Sequence, residues 1–382
     1  MKNNRYLFFG GSLEAFVNFR LNLIDEILES SSTESIMCVY FGNLEKIGTP
    51  NNEDKRLRWL GLNSSHIGSV FRDIGALCKL LGIIRSFKPT RIIAFNAKPI
   101  FYTGIFRRLG LYTGPLIALF EGMGLGFSAI KDQSIKGSFI RAVLRPSLTT
   151  FTSWIFLNDH DRDWLTKQML ISQNAPILNI MGIGVDNSCF RKTSSFSSQW
   201  HKKSIGFAGR FIKQKGPHVF VKIARLVHES RPDIQFHMAG RKASSTHSVS
   251  EAEIDNWLYS GRVKSIQYYS DMSGFYEQMS LLVLPTVYDE GLPAVAMECQ
   301  SMGIPILLND IAQVVSAVSP KQSHHLIADN TAVTFANLIL KYLEDEELYL
   351  RAAQTAFDYA QEHFYARNIN QKVLSFIEPE RS

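Results

Sequence analysis

Glu290 and Glu298 bracket seven residues in Asp289-Glu290-Gly291-Leu292-Pro293-Ala294-Val295-Ala296-Met297-Glu298, just after the apolar run Leu281-Leu282-Val283-Leu284-Pro285. An apolar run followed by a loop and helix formers predicts a buried strand leading into a helix. The crevice at the carboxyl ends of strands is where open α/β sheets bind ligands. Pro293 suits the first helical position, where its missing N–H costs nothing. The amides around Gly291 and Leu292 would then form the positive end of the helix, an anion site. With a carboxylate on each side for hydroxyls, the segment suits a sugar and a ribose joined by a diphosphate. Taken alone, the same spacing also fits two solvated helix carboxylates.

A second segment, Gly206-Phe207-Ala208-Gly209-Arg210-Phe211-Ile212-Lys213-Gln214-Lys215-Gly216-Pro217, reads as a strand ending at Gly209 and a helix starting near Pro217. It delivers Arg210 and Lys215 to the same sheet edge as Glu290. Arginine offers a planar fork and lysine a point charge, a combination suited to a diphosphate.

Together the two segments resemble the retaining glycosyltransferases of family 4, which have the GT-B fold. That family carries Glu, seven residues, Glu between strand and helix, and Gly-Arg, a short loop and Lys-Gly before another helix. The resemblance implies that Arg210 and Lys215 hold the donor diphosphate, Glu290 the donor sugar hydroxyls and Glu298 the ribose hydroxyls. Gly291, Leu292 and Pro293 would surround the sugar and diphosphate. Tyr269, after the strand end at Tyr268, would lie where the base binds, and Arg241 near it. The first-loop glycines Gly10 and Gly11 would let the backbone approach the phosphates. Arg210, Lys215 and Glu290 are the expected catalytic residues.

Asn96-Ala97-Lys98-Pro99 and Glu121-Gly122-Met123-Gly124-Leu125-Gly126 each follow a strand. They resemble segments of family members that build O-antigen, capsule or N-glycan precursors on polyprenyl diphosphate. Asn96, Lys98, Glu121 and Gly122 are therefore the expected acceptor-binding residues. Many family members carry a histidine where this chain has Glu121; no histidine is assigned a catalytic role here.

The elements that must position these residues are legible as alternation. Strands are expected at Tyr6–Phe9, Ser35–Phe41, Arg91–Phe95, Leu116–Phe120, Trp154–Leu157 and Ile177–Ile180, and helices at Ala15–Ser30 and Gly68–Phe87. The second half repeats the pattern from Ser204–Ala208 to Ile304–Leu308. This is α/β: two Rossmann-like domains facing across a cleft, as in GT-B enzymes. The expected division is 1–185, a linker 186–203, 204–360, and a tail 361–382 crossing back to the first domain.

The chain has 382 residues, 45% of them apolar and 20% charged, as expected for a globular protein. No window reaches the roughly 18 to 20 apolar residues of a spanning helix. Cys38, Cys78, Cys189 and Cys299 lack metal-ligand spacing and read as buried thiols. No metal or other cofactor is expected. Residues 55–145 hold fifteen Lys/Arg against three Asp/Glu. The basic residues alternate with large apolar ones, as in Leu80-Leu81-Gly82-Ile83-Ile84-Arg85 and Ile105-Phe106-Arg107-Arg108-Leu109. Such a mixture suits an anionic bilayer rather than nucleic acid, for which no recognition motif accompanies the charge. The expectation is a cytoplasmic enzyme, peripheral at the inner face of the plasma membrane. It would transfer a hexose or N-acetylhexosamine from a UDP-linked donor to a polyprenyl-diphosphate glycan in surface polysaccharide or glycoprotein glycan synthesis. The alternatives are a GT-B nucleotide-sugar 2-epimerase and an inactive membrane-associated scaffold.

Overall fold

Seven parallel strands form the first sheet: β1 Asn4–Gly10, β2 Thr33–Tyr40, β3 Leu57–Gly61, β4 Arg91–Phe95, β5 Leu116–Phe120, β6 Ser153–Phe156 and β7 Ile177–Asn179. Their order is β3-β2-β1-β4-β5-β6-β7. The computed structural model describes residues 4–42, 54–62, 70–123, 130–132, 134–241, 248–269, 271–288 and 291–378, with backbone alone at 70–73. The second sheet has six parallel strands: β8 Ser204–Ala208, β9 Gln235–Ala239, β10 Ser265–Gln267, β11 Leu281–Leu284, β12 Ile306–Asn309 and β13 Leu326–Ile327. Its order, β10-β9-β8-β11-β12-β13, follows the same plan.

Strands buried on both faces read as continuous apolar runs. β5 and β11 are buried at every position. In each sheet the winding reverses beside the first strand, between β1 and β4 and between β8 and β11. Crevices at such switch points, outside the carboxyl ends, are the ligand sites of open α/β sheets. Gly10-Gly11 and Asn96 lie at the first switch point, Arg210 and Pro285–Tyr288 at the second.

The chain divides into residues 1–180 with 367–382, and residues 181–366. Residues 186–203 lie within the second unit. There Ser195 caps a short helix Phe196–Trp200, and the Trp200 indole donates to Tyr342 O at 2.9 Å. The chain closes with three helices, Ala332–Glu344, Glu346–His363 and Ala366–Ile377, and the expected tail 361–382 takes in the end of the second and all of the third. The last buries Ile369, Val373 and Ile377, and Asn370 Nδ2 donates to Glu26 Oε1 of the first unit at 3.0 Å.

Other elements depart from expectation. The helix expected over Ala15–Ser30 is two, Leu13–Phe19 and Leu21–Glu29, broken at Arg20. Pro293 takes the cap position rather than the first helical one, with ψ 125°, and the helix runs Ala294–Ser301. Cys38 and Cys299 are buried, but Cys78 and Cys189 are exposed. Much of the apolar share of the basic region is core: Leu80, Ile84 and Phe106 are each at most 5% exposed.

Candidate active site

The second unit assembles its cations on an aromatic ring. Arg210 follows β8, and Lys215 ends a short 3-10 turn, Lys213–Lys215. The Arg210 guanidinium carbon lies 5.5 Å from the Tyr288 ring centroid and Lys215 Nζ lies 5.6 Å from it. A ring face holds a cation without cancelling its formal charge. Backbone bonds lock the two loops together: Val287 N donates to Gln214 O at 2.8 Å. Asn309 Nδ2, from the end of β12, donates to Thr286 O at 3.0 Å. Tyr288 is thereby fixed beneath both cations.

Gly216 explains the tight approach. It sits in the left-handed region at φ 81°, and a Cβ there would meet Pro285 O at 2.1 Å. It caps the helix Pro217–Ser230, and Pro293 caps Ala294–Ser301. Among the described residues no side chain caps either helix. Their first amides and positive dipole ends therefore face the switch point with the two cations.

Glu298 lies partly buried on the second of these helices and accepts from the Tyr276 hydroxyl at 2.6 Å. Burial raises its carboxyl above the ordinary value, and the tyrosine bond opposes that rise. Gly291, Leu292 and Pro293 are buried. Glu290, the third expected catalytic residue, lies outside the described residues. Arg241 stacks on Tyr268, its guanidinium carbon 4.1 Å from the ring centroid, after β9. Tyr269 packs instead against Phe275, ring centroids 5.1 Å apart.

The first unit builds a different edge. Asn96 follows β4 at φ 68°, ψ 159°, a backbone region that is essentially glycine's. Its side chain holds both neighbours: Oδ1 accepts from Gly11 N at 2.9 Å, and Nδ2 donates to Glu121 Oε2. The other Glu121 oxygen accepts from Arg20 Nη2. Arg20 is 3% exposed, donates to Phe19 O at 2.7 Å and lies over the Phe95 ring. Burial pushes Glu121 up and Arg20 down, and each partner counters the other's shift. Gly122 follows at φ 128°, and Lys98 Nζ lies 5.5 Å from the Phe41 centroid. The continuation Gly124–Gly126 lies outside the described residues.

The structure thus gathers Gly11, Asn96 and Glu121 at one switch point, and Arg210 and Lys215 at the other. Tyr288 and Tyr276 escaped the sequence reading, for no spacing rule links an aromatic residue to the charge it supports. The sequence places Asn18-Phe19-Arg20 along the first helix, within reach of the ligand crevice, but no spacing pairs Arg20 with Glu121. His218 is bonded to Glu253 at 2.9 Å, in a helix-capping arrangement. Among the described residues no group of three or more His, Cys, Asp or Glu is placed to hold a metal ion.

Comparison with known proteins extends this picture. The family described as Glycosyl transferases group 1 matches residues 191–359. The capsular polysaccharide biosynthesis glycosyltransferase CapM of Staphylococcus aureus is 20% identical over 73% of this chain and 74% of its own. The UDP-Gal:alpha-D-GlcNAc-diphosphoundecaprenol alpha-1,3-galactosyltransferase of Escherichia coli is 22% identical over 73% of each chain. The D-inositol 3-phosphate glycosyltransferase of Corynebacterium aurimucosum is 23% identical over 49% of this chain and 46% of its own. The structure of Anabaena HepE in complex with UDP-glucose superposes with a TM-score of 0.72 at 15% identity, over 98% of this chain and 99% of that one. Residues 191–359 of the second unit thus resemble the group 1 glycosyltransferases, and the chain has the GT-B fold, two parallel-sheet Rossmann-like units.

Proposed function

We propose that this glycosyltransferase moves a hexose or N-acetylhexosamine from a UDP-linked donor to a polyprenyl-diphosphate-linked glycan in surface polysaccharide synthesis, with retention of anomeric configuration. The observation that carries the donor half is the pair of cations held over Tyr288 beside two uncapped helix ends. The bond from the anomeric carbon to the diphosphate oxygen breaks, and its electron pair leaves with UDP. Arg210, Lys215 and the amides of Gly291 and Leu292 stabilise that charge as it develops, so the protein needs no metal for the step. The acceptor hydroxyl bonds to the anomeric carbon on the face the diphosphate leaves, and its proton passes to the leaving phosphate.

Glu298 holds the ribose hydroxyls, Tyr276 keeping one of its oxygens oriented, and Glu290 holds hydroxyls of the sugar. Arg241 and Tyr269 flank the base. Asn96, Lys98, Glu121 and Gly122 receive the acceptor, with Glu121 as a fixed carboxylate rather than a proton acceptor, because Arg20 and Asn96 occupy both its oxygens. The likeness to the E. coli galactosyltransferase, whose name carries a diphosphoundecaprenol-linked acceptor, favours the lipid-linked acceptor, and with it a place at the cytoplasmic face of the membrane.

The test is transfer of radiolabelled sugar from UDP conjugates to short-chain polyprenyl-diphosphate sugars and, in parallel, to D-inositol 3-phosphate. Product on the lipid acceptor with retained configuration by NMR is expected. Product on the inositol acceptor alone would overturn the acceptor assignment. Release of free sugar isomer without transfer would favour the epimerase, and no turnover would favour the scaffold.

A further inference from the structure

The helix Ile135–Leu148 is apolar on two faces. Gly137, Ser147 and Leu148 are buried, and a Cβ on Gly104 of the helix Ala97–Arg108 would meet Ser147 O at 2.6 Å. On the opposite side, Ile135 is 90% exposed, Phe139 68% and Val143 52%. At about 100° per residue, Ile135, Phe139, Ala142, Val143 and Pro146 fall within an arc of about 100° turned to solvent. A surface helix ordinarily places polar residues there. Glu346–His363 does so, with Glu347 and Arg351 paired on its exposed face.

The flanks of the stripe are basic. Exposed Lys136 borders one side and exposed Arg145 the other. Arg141 is turned away, donating to Ile130 O at 2.6 Å and Asp132 O at 2.8 Å. Arg145 Nη2 lies 3.9 Å from the sulfur of Met169, which is itself 55% exposed and widens the apolar surface. No Asp or Glu stands between Asp132 and Asp159. A second copy of the chain would bring the Lys136 and Arg145 charges together across a two-fold axis, and the one carboxylate beside them, Asp132, is already engaged by Ser134 and lies near Lys136 and Arg141 of its own chain. An anionic bilayer satisfies both features, taking the apolar stripe below its headgroups and the cations at their level.

We propose that this face, Ile135, Phe139 and Val143 between Lys136 and Arg145, docks the chain on an anionic lipid bilayer. The inference deepens the proposed lipid-linked acceptor and rests on that reading for its purpose, though not for its geometry.

Sedimentation of the full chain with vesicles tests it directly, with no substrate present. Binding is expected to vesicles containing phosphatidylglycerol and to be far weaker with phosphatidylcholine alone. Ile135→Asp and Phe139→Asp should each lower partitioning by about tenfold or more, while melting temperature and UDP binding stay at wild-type values. A Lys136→Gln/Arg145→Gln variant should lose the preference for the anionic vesicles. Absent vesicle binding, or binding unchanged in both aspartate variants, would overturn the proposal. A wild-type dimer that Phe139→Asp disperses, or retention on nucleic acid, either of them without vesicle binding, would also overturn it. Vesicle binding in a protein that glycosylates only soluble acceptors would sustain this surface and refute the lipid acceptor.

Discussion

The two switch points use the same topology for opposite electrostatic ends. In the first unit a carboxylate is clamped: Glu121 spends both oxygens on Arg20 and Asn96, and Asn96 pays in backbone strain to hold Gly11 as well. In the second unit Arg210 and Lys215 lie over the face of Tyr288, and two helix ends add to the positive field. Neutralised charge suits a rigid edge that presents shape and hydrogen bonds. A positive field at two helix ends suits an anion that arrives and departs. The two halves therefore differ in what mutation should do: stability should fail first in one, turnover in the other.

The largest expected effect sharpens that contrast. Lys215→Ala should cut turnover by about 10²-fold or more with little change in melting temperature. Near wild-type turnover would remove the diphosphate assignment. Arg20→Ala should do the reverse, costing about 3 kcal/mol of stability by opening a cavity and stranding a largely buried carboxylate, read by denaturant unfolding. Adding Glu121→Gln should recover much of that loss, and strict additivity would show that the pair is not coupled.

Substitutions at Asn96 separate strain from hydrogen bonding. Glycine accepts the φ 68°, ψ 159° backbone but drops the two side-chain bonds; alanine loses both. Asn96→Ala should be less stable than Asn96→Gly by about 1–3 kcal/mol. Equal stabilities would mean that the backbone geometry carries no cost.

The mildest effect concerns pH. Glu298 has a carboxyl raised above its ordinary 4.5 by burial, so it takes up its proton earlier than an exposed glutamate as pH falls. UDP affinity, which needs the ionised form to accept ribose hydroxyls, should decline as pH drops from neutral towards that raised value. The stability contribution has the opposite sign, because the neutral form is the one burial favours. Between 4.5 and the raised value, folding should weaken as pH rises. Glu298→Gln should flatten both profiles, as calorimetry and thermal melts across pH would show.

How much of this was legible in the sequence follows burial. β5, β8 and β11 announce themselves because strands covered on both faces must be apolar throughout. β3 was hidden: it lies at the sheet edge, and Arg56 and Arg58 interrupt its run. The break at Arg20 was hidden too, since apolar spacing continues across it. Arg210, Lys215 and Glu298 were readable from spacing because each sits just past a strand or on the helix that follows. The Arg20–Glu121 pair spans 101 residues, and only the register of β1 against β4 and of β4 against β5 brings its halves together.

The central claim is that the second switch point binds a uridine diphosphate. Thermal-shift and calorimetric titration of UDP, GDP and ADP against the purified chain tests it most directly. Selective stabilisation by UDP, lost in Glu298→Ala, is the predicted result. Absence of binding by all three nucleotides would contradict the donor site and with it the proposed reaction.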